Sequence, residues 1–242
     1  MQLKTCLALA CALLAVNAHA QVQSTVPNAF AAAPGTGTFL GPLTNSARTY
    51  QLLIHESQLT DHLGLSLTGI SFRLPTSATS EWPTSAISFG SYDIRLSESV
   101  APAARSLTFA SNVVGAQTLV RSGALMLDAG SFSSGSSPNP FGVGINFDSG
   151  YQYTGGNLLI EIRHTGFTGT SRSVDAMIAT GGAADGYGSL FSAAWAGSYT
   201  GVSGSQGNFA VLQVTSVPEP ATVLLFVAGV AGLLVRRRAM LH

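Results

Sequence analysis

Apolar residues alternate with polar ones in several short stretches between residues 42 and 215, whereas a helical period is hard to find. Strict alternation is typical of a β-strand with one buried face, because successive side chains point to opposite sides of a sheet. The clearest example is Tyr92, Ile94 and Leu96, which alternate with polar residues. We predict strands there and at four further stretches, residues 50–55, 141–148, 158–163 and 210–215.

One further apolar stretch changes phase in its middle, at Gly69. A β-bulge inserts one extra residue into a strand, and glycine tolerates the backbone conformation that this requires. A bulge at Gly69 would therefore bring the apolar residues before and after it onto one face. Those residues are Leu63, Leu65 and Leu67 before the change and Ile70, Phe72 and Leu74 after it.

The segments between the alternating stretches are rich in glycine, serine, threonine and proline, which is typical of turns and loops. Gly155 and Gly156, for example, mark a turn before the stretch at residues 158–163. Roughly nine or ten strands separated in this way predict an all-β fold, a single antiparallel β-sandwich of the jelly-roll type. We place this domain at residues 42–215 and expect an extended lead-in at residues 21–41.

Residues 1–20 have the pattern of a secretory signal peptide. A charged start is followed by an apolar stretch, and Ala18 and Ala20 form an Ala-x-Ala cleavage site. Both cysteines of the chain, Cys6 and Cys11, lie in this segment. The mature chain therefore has no thiol for a disulfide, a zinc site or a cysteine nucleophile. A lipoprotein signal that uses Cys11 is disfavoured, because no leucine stands three residues before it.

A second apolar segment, residues 221–235, contains no charged residue. As a helix it extends about 22 Å, which is shorter than the roughly 30 Å hydrocarbon core of a bilayer, so a buried core helix is the alternative. Three arginines follow directly, and their side chains can reach the headgroups and extend the usable length. Because arginine-rich segments are retained in the cytoplasm, we predict a transmembrane helix with a cytoplasmic C-terminus. The arginines are Arg236, Arg237 and Arg238.

The segment just before this helix is extended and rigid. Pro218 and Pro220 lack a backbone N–H, and each favours an extended conformation in the residue before it. Glu219 stands between them, where the dipole of the following helix favours a carboxylate. Such a segment is one that a processing enzyme can bind. The complete motif is Val217, Pro218, Glu219 and Pro220.

A Pro-Glu-Pro motif, an apolar helix and an arginine cluster follow one another over the 22 residues from Val217 to Arg238. In order and spacing they resemble the PEP-CTERM sorting signal of Gram-negative bacteria, which we assign to residues 216–242. The resemblance implies that an exosortase, an integral-membrane cysteine transpeptidase, recognises the motif and that the protein then passes to the exterior, commonly in cells that make exopolysaccharide. The catalytic residues of that reaction belong to the exosortase, so none is assigned to this chain.

The charge of the outer domain argues against a nucleic-acid partner. Without Lys4, Glu219 and the three terminal arginines, seven basic and ten acidic residues remain, a net charge of about −3. A nucleic-acid-binding protein carries clustered basic residues, and this pattern is absent.

The sequence also lacks the familiar catalytic motifs: it has no nucleophile elbow, P-loop, dinucleotide-binding fingerprint or zinc-protease motif.

Glu161 and Arg163 are predicted as a solvated pair on one strand face. A metal site is conceivable but disfavoured against a polar turn, because the spacing is not that of a ligand set. The residues concerned are His55, Glu56, Asp61 and His62. We therefore expect no metal, no cofactor and no enzymatic activity.

Carbohydrate binding is a more credible activity, because sugar sites use exposed aromatic rings together with a few polar groups. Four aromatic residues lie in segments without a clear strand pattern. The favoured alternative is that these rings fill the ends of the core, where large rings contribute most burial. The four candidates are Trp82, Tyr187, Trp195 and Tyr199.

Together these features predict an exported protein of the cell surface or extracellular matrix, held for a time in the inner membrane and associated with exopolysaccharide or biofilm. A carbohydrate-binding module is the alternative. A polysaccharide-active hydrolase, which would need two facing carboxylates, is a third and weaker possibility.

Overall fold

The computed structural model describes residues 21–218, which contain fifteen β-strands and seven short 3-10 helices. The strands are β1 (Val22–Val26), β2 (Gly37–Phe39), β3 (Arg48–Ile54), β4 (Ser66–Phe72), β5 (Ile87–Phe89), β6 (Tyr92–Ser99), β7 (Val113–Arg121), β8 (Leu125–Leu127), β9 (Ile145–Gln152), β10 (Leu158–His164), β11 (Val174–Met177), β12 (Phe191–Ala196), β13 (Ser205–Gln206), β14 (Phe209–Ala210) and β15 (Leu212–Val217). The helices are Asn28–Phe30, Gly41–Leu43, Glu56–Gln58, Thr60–His62, Pro102–Ala104, Phe109–Asn112 and Gly182–Asp185.

The strands form four antiparallel sheets. A six-stranded sheet has the order β13-β12-β3-β10-β6-β7, and a four-stranded sheet has the order β1-β15-β4-β9. Two small sheets, β14-β11-β2 and β5-β8, complete the fold. The predicted all-β class with antiparallel strands is confirmed, whereas the single jelly-roll sandwich stays a prediction.

Between residues 21 and 218, none of the helices has the length and apolar composition needed to cross a bilayer. The predicted transmembrane helix at residues 221–235 and the predicted signal peptide at residues 1–20 lie outside the described residues.

Strand β3 is buried on both faces, which differs from the half-buried strand predicted at residues 50–55. Tyr50, Leu52 and Ile54 face the hydrophobic core, but Gln51 and Leu53 on the opposite face are also inaccessible to solvent. β3 lies in the interior of the six-stranded sheet, between β12 and β10. Its outer face is covered by loops, which the alternation of the strand cannot reveal.

Hydrogen bonds fix the loops that cover this outer face. The Gln51 amide donates to Glu161 at 2.8 Å and accepts from Asn112 at 2.8 Å, and Asn112 belongs to one of the 3-10 helices. Thr49 donates to the backbone carbonyls of Ser198 and Tyr199. Thr49 and Gln51 therefore bind protein groups rather than water, as is usual for buried polar groups.

The bulge predicted at Gly69 is confirmed. β4 and β9 pair in antiparallel register, and the register shifts between Leu67 and Gly69. Leu67 and Ile70 are buried on either side of the shift. Leu63 does not join them, contrary to the prediction, because it lies in the turn before β4 and is 61% exposed.

Two further strand boundaries differ from the prediction. The alternation at residues 141–148 begins before the strand does, since β9 starts at Ile145 and Val143 is exposed. The stretch at residues 210–215 is divided between β14 and β15, which belong to different sheets. Gly155 and Gly156 form the predicted turn between β9 and β10, and both have a positive φ.

Residues 21–41, predicted as an extended lead-in to a domain starting at residue 42, contribute two strands to the sheets. β1 pairs with β15 and β2 pairs with β11. A buried ion pair holds the segment between them: Arg73 Nε lies 2.8 Å from Asp175 Oδ2, and Arg73 Nη2 donates to the carbonyls of Phe30 and Ala33. The compact unit of the structure accordingly begins at Val22 and ends at Ser216.

Asp175 completes this arrangement by accepting a hydrogen bond from the backbone N–H of Gly35, at 3.0 Å to each carboxylate oxygen. The Gly35 backbone lies so close to β11 that an added Cβ atom would overlap the carbonyl oxygen of Ala176. Glycine at position 35 is therefore required by packing rather than by its backbone angles.

His164 ends β10 and is held as a neutral imidazole. Its Nε2 donates to the Gly41 carbonyl at 2.9 Å, its Nδ1 accepts from the Gly166 N–H at 3.1 Å, and its ring stacks on Tyr92. Burial lowers the pKa of His164 to about 4, and the nearby charge of Arg48 acts in the same direction against the opposing hydrogen bond to Gly41. A proton on Nδ1 would point at the Gly166 N–H, so protonation breaks this arrangement.

We call the compact unit from Val22 to Ser216 the body. We predict that its free energy of unfolding decreases as the pH falls from about 7 to about 5, by about 2 kcal/mol from His164 alone. The pKa in the folded state is depressed, so the unfolded chain takes up a proton in this window while the folded chain does not. In His164→Gln this contribution is absent. Urea unfolding of the full chain in detergent, followed by fluorescence of Trp82 and Trp195, measures it. Equal losses of stability in the two proteins would contradict the assignment.

Candidate functional site

The predicted sorting motif begins where the last strand ends. β15 runs to Val217, and Val217 and Pro218 are both half-buried. Glu219, Pro220 and the arginines at positions 236, 237 and 238 lie outside the described residues, as do Ala18 and Ala20 of the predicted cleavage site. The described part of the site is therefore the anchorage of β15 in the body.

A buried histidine provides this anchorage. His62 Nε2 lies 2.6 Å from the Ser24 hydroxyl in β1, and its Nδ1 lies 2.7 Å from the Ser216 hydroxyl in β15. Both His62 and Ser216 are fully buried, and burial lowers the pKa of His62 below its ordinary value. The neutral ring thus joins β1 and β15, the first and the last of the strands that the structure describes, which also pair directly through Val22 and Ser216.

The metal site considered at residues 55–62 is not assembled. His62 is bound to serines, and the His55 ring accepts from the Ser57 N–H. Among residues 21–218, no three histidine, cysteine, aspartate or glutamate side chains lie close enough together to hold a metal ion.

Two of the four aromatic candidates are buried. Trp82 is 7% exposed and packs against Phe132 and Phe167. Tyr187 is 8% exposed, packs against Phe191 and donates its hydroxyl to the Gly207 carbonyl at 2.6 Å. Neither residue offers an exposed ring face to a sugar. The loops that carry Trp82 and Tyr187 show no alternating pattern because their aromatic rings pack into the core from outside the strands.

The other two candidates are half-buried but lie at different places. The Tyr199 hydroxyl donates to Asp93. Trp195 lies on β12, contacts Phe39 with ring centroids 6.2 Å apart, and is covered on one face by the guanidinium of Arg48. The structure therefore does not gather the four aromatic residues into one surface.

Glu161 is buried rather than solvated, contrary to the prediction. It is 2% exposed, and its carboxylate accepts from Arg163 Nε at 2.7 Å and from Gln51 Nε2 at 2.8 Å. A cleft of about 390 Å³ borders Glu161 and Arg163. Glu161 is the one carboxylate in the lining of this cleft, so the facing pair that glycoside hydrolysis requires is not found there.

A second cleft, of about 320 Å³, lies beside Trp195. We call it the Arg48 cleft. Sequence reasoning missed Arg48, although it has the same parity in β3 as the core residues Tyr50 and Leu52, which places its side chain on the core side. The Arg48 cleft is lined by Thr38, Phe39, Leu40, Arg48, Ser173 and Trp195.

Comparison with known proteins assigns the C-terminal segment. Residues 216–238 match the family model of the PEP-CTERM protein-sorting motif, which confirms the resemblance found in the sequence. The chain thus carries the signal of an exported protein that is sorted by an exosortase, with a membrane-associated C-terminal region. Neither the curated proteins nor the solved structures contain a match to the chain.

We predict that Ser216→Ala destabilises the body by about 1–3 kcal/mol, because it leaves the buried Nδ1 of His62 without a partner. Hydrogen exchange of the full chain in detergent should show faster exchange of the β1 and β15 amides. Ser205→Ala is the matched control, since Ser205 is exposed in β13 and should change neither quantity. Equal exchange rates in all three proteins would rule out the anchoring role of His62.

Proposed function

We propose that this protein is a non-enzymatic protein of the cell surface or extracellular matrix, released there by an exosortase that processes its Pro-Glu-Pro motif. The match of residues 216–238 to the sorting motif carries this proposal. The signal peptide at residues 1–20 starts export, the apolar helix at residues 221–235 holds the protein in the inner membrane, and the arginines after it keep the C-terminus in the cytoplasm.

The boundary between body and signal supports this assignment. The matched segment begins at Ser216, which is also the last residue of the compact unit. Processing at the motif would therefore leave every strand of the body intact except for the final residue of β15. The His62 contacts would hold this end in the sheet after processing.

We further propose that the body is one jelly-roll sandwich associated with exopolysaccharide. In support, the four-stranded and six-stranded sheets contribute to a single hydrophobic cluster, with Ile70 and Leu212 from one sheet and Leu52 and Ile160 from the other. The loops that cover the outer face of β3 would then be additions to this sandwich. The absence of cysteines from residues 21–242 leaves the core as its source of stability.

A carbohydrate-binding module is the second candidate, and the Arg48 cleft favours it. Sugar sites combine apolar surface with a few fixed polar groups, and this cleft offers Phe39 and Leu40 beside the hydroxyls of Thr38 and Ser173. Binding to exopolysaccharide would give the exported protein a reason to remain at the surface.

A hydrolase is less well supported. The three buried carboxylates of the described residues are each bound to other protein groups. Asp175 and Glu161 are paired with arginines, and Asp93 accepts from Tyr199. None is left as a free acid or base.

We predict that Glu219→Ala, or deletion of residues 221–238, diverts the protein from its sorted destination. Glu219→Ala should accumulate unprocessed in the membrane fraction, because the exosortase no longer recognises its motif. The deletion should instead prevent retention of the protein in the membrane. Cell fractionation and electrophoretic mobility measure both effects. A strain without its exosortase should reproduce the first result with the unchanged protein.

The control is Glu81→Ala, which removes an exposed carboxylate from the body and should be sorted normally. If both signal variants show the same fractionation and mobility as the unchanged protein, the proposed sorting is wrong.

A further inference from the structure

Arg48 is a buried cation without a partner among the described residues. It is 9% exposed, its Nε is fully buried without a hydrogen bond, and no carboxylate lies within ion-pair distance. The other two arginines buried to this extent differ. Arg73 binds Asp175 and two carbonyls, and Arg121 donates to three carbonyls. The terminal nitrogens Nη1 and Nη2 also make no hydrogen bond within the described residues but are not fully buried. A cation that is largely removed from water and has no acidic partner favours a ligand that supplies an anion.

Packing fixes the direction in which Arg48 can bind. Its Cζ lies 4.2 Å from the centroid of the Trp195 ring, and Trp195 is supported by Phe39. Stacking uses the flat face of a guanidinium, and because Nε is fully buried, the two terminal nitrogens Nη1 and Nη2 are the groups available for a fork-shaped contact with a carboxylate. Since Arg48 lines the cleft, this unused edge belongs to the surface that a ligand would meet.

The Arg48 cleft shares part of its lining with a second cleft, and we refer to the two together as the groove. This second cleft, of about 280 Å³, shares Thr38, Leu40 and Ser173 with the Arg48 cleft and continues to Ser171 and Arg172. Both clefts have hydroxyl groups along their walls, and neither is lined by a carboxylate. The groove therefore combines two cations with several hydroxyls over a length greater than one cleft.

We propose that this groove binds an acidic saccharide, whose carboxylate pairs with Arg48 while its hydroxyls meet Thr38 and Ser173. The inference rests on the second proposed function and names its ligand class. Hydroxyl-lined walls suit a polyhydroxylated ligand, and the apolar sides of Phe39 and Leu40 suit the C–H faces of sugar rings. Arg172 can meet a second carboxylate further along the same chain.

The test measures binding of the full chain in detergent to trigalacturonate and trimannuronate by calorimetry, with galactotriose as the neutral counterpart. We expect both acidic trimers to bind and galactotriose to bind roughly tenfold more weakly or not at all. Arg48→Met should reduce the affinity for the acidic trimers by roughly ten- to hundredfold. The matched control is Arg95→Met, which removes the same charge from a partly exposed position in β6 and should retain binding.

Stability separates a ligand-binding role from a structural one. Arg48→Met loses the stacking of a cation on Trp195 but also removes a desolvated charge that has no ion-pair partner, and methionine can still pack on the ring. We therefore expect the variant to melt at the same or a higher temperature than the unchanged protein. A structural role would instead lower the melting temperature. Arg48→Lys provides a second variant that keeps the charge but lacks the planar fork, and it should also lose most of the binding.

Besides a lowered melting temperature of Arg48→Met, three binding outcomes would overturn the inference. Equal affinity for galactotriose and the acidic trimers would leave carbohydrate binding in place but remove the role of Arg48. Acetate and phosphate are measured in the same way, and an affinity equal to that of the acidic trimers would identify a general anion site. Failure of every saccharide to bind would count against both this inference and the second proposed function, while leaving the sorting proposal untouched.

Discussion

The ion pair between Arg73 and Asp175 is the interaction on which the remaining architecture depends. Both side chains are almost fully buried, so removal of either partner would leave an uncompensated charge, which typically costs several kcal/mol. The pair also binds the carbonyls of residues 30 and 33 and the N–H of Gly35. It thereby holds the chain at the point where β2 begins, and β2 supplies Thr38 and Phe39 to the Arg48 cleft. The cleft is thus positioned by a contact that lies outside it.

Two of the three buried arginines among the described residues differ in how their charge is compensated. Arg73 satisfies its charge within the fold and contributes to a single, well-defined arrangement of three segments. Arg48 does not satisfy its charge, and its position is maintained by stacking on Trp195 and by the sheet around it. An unfavourable group that persists in this way is typical of a site where stability is given up for binding.

Local patterns in the sequence predicted the strands and the bulge, since alternation and the phase change at Gly69 depend only on neighbouring residues. They also located the sorting motif, which is linear. The burial of both faces of β3 could not be predicted, because the cover comes from loops around residues 109 and 199 that are distant in sequence. The sequence could have placed Arg48 on the core side of β3, because it is two residues from Tyr50. That Arg48 has no acidic partner depends on contacts across the sheets and could not be predicted. The burial of Glu161 was missed for the same reason, whereas packing of Trp82 in the core was the favoured alternative from the sequence.

The position of β15 also bears on how the body reaches its folded state during export. β15 lies inside the four-stranded sheet, between β1 and β4, although it is the last of the described strands in the chain. In a chain that crosses the inner membrane from its N-terminus, this sheet therefore stays incomplete between β1 and β4 until residues 212–217 emerge. Meanwhile the edges of β1 and β4 expose unpaired backbone groups that can pair with other chains. The transmembrane helix proposed at residues 221–235 would, by stopping transfer, hold β15 close to its position in the sheet while the sheet is completed.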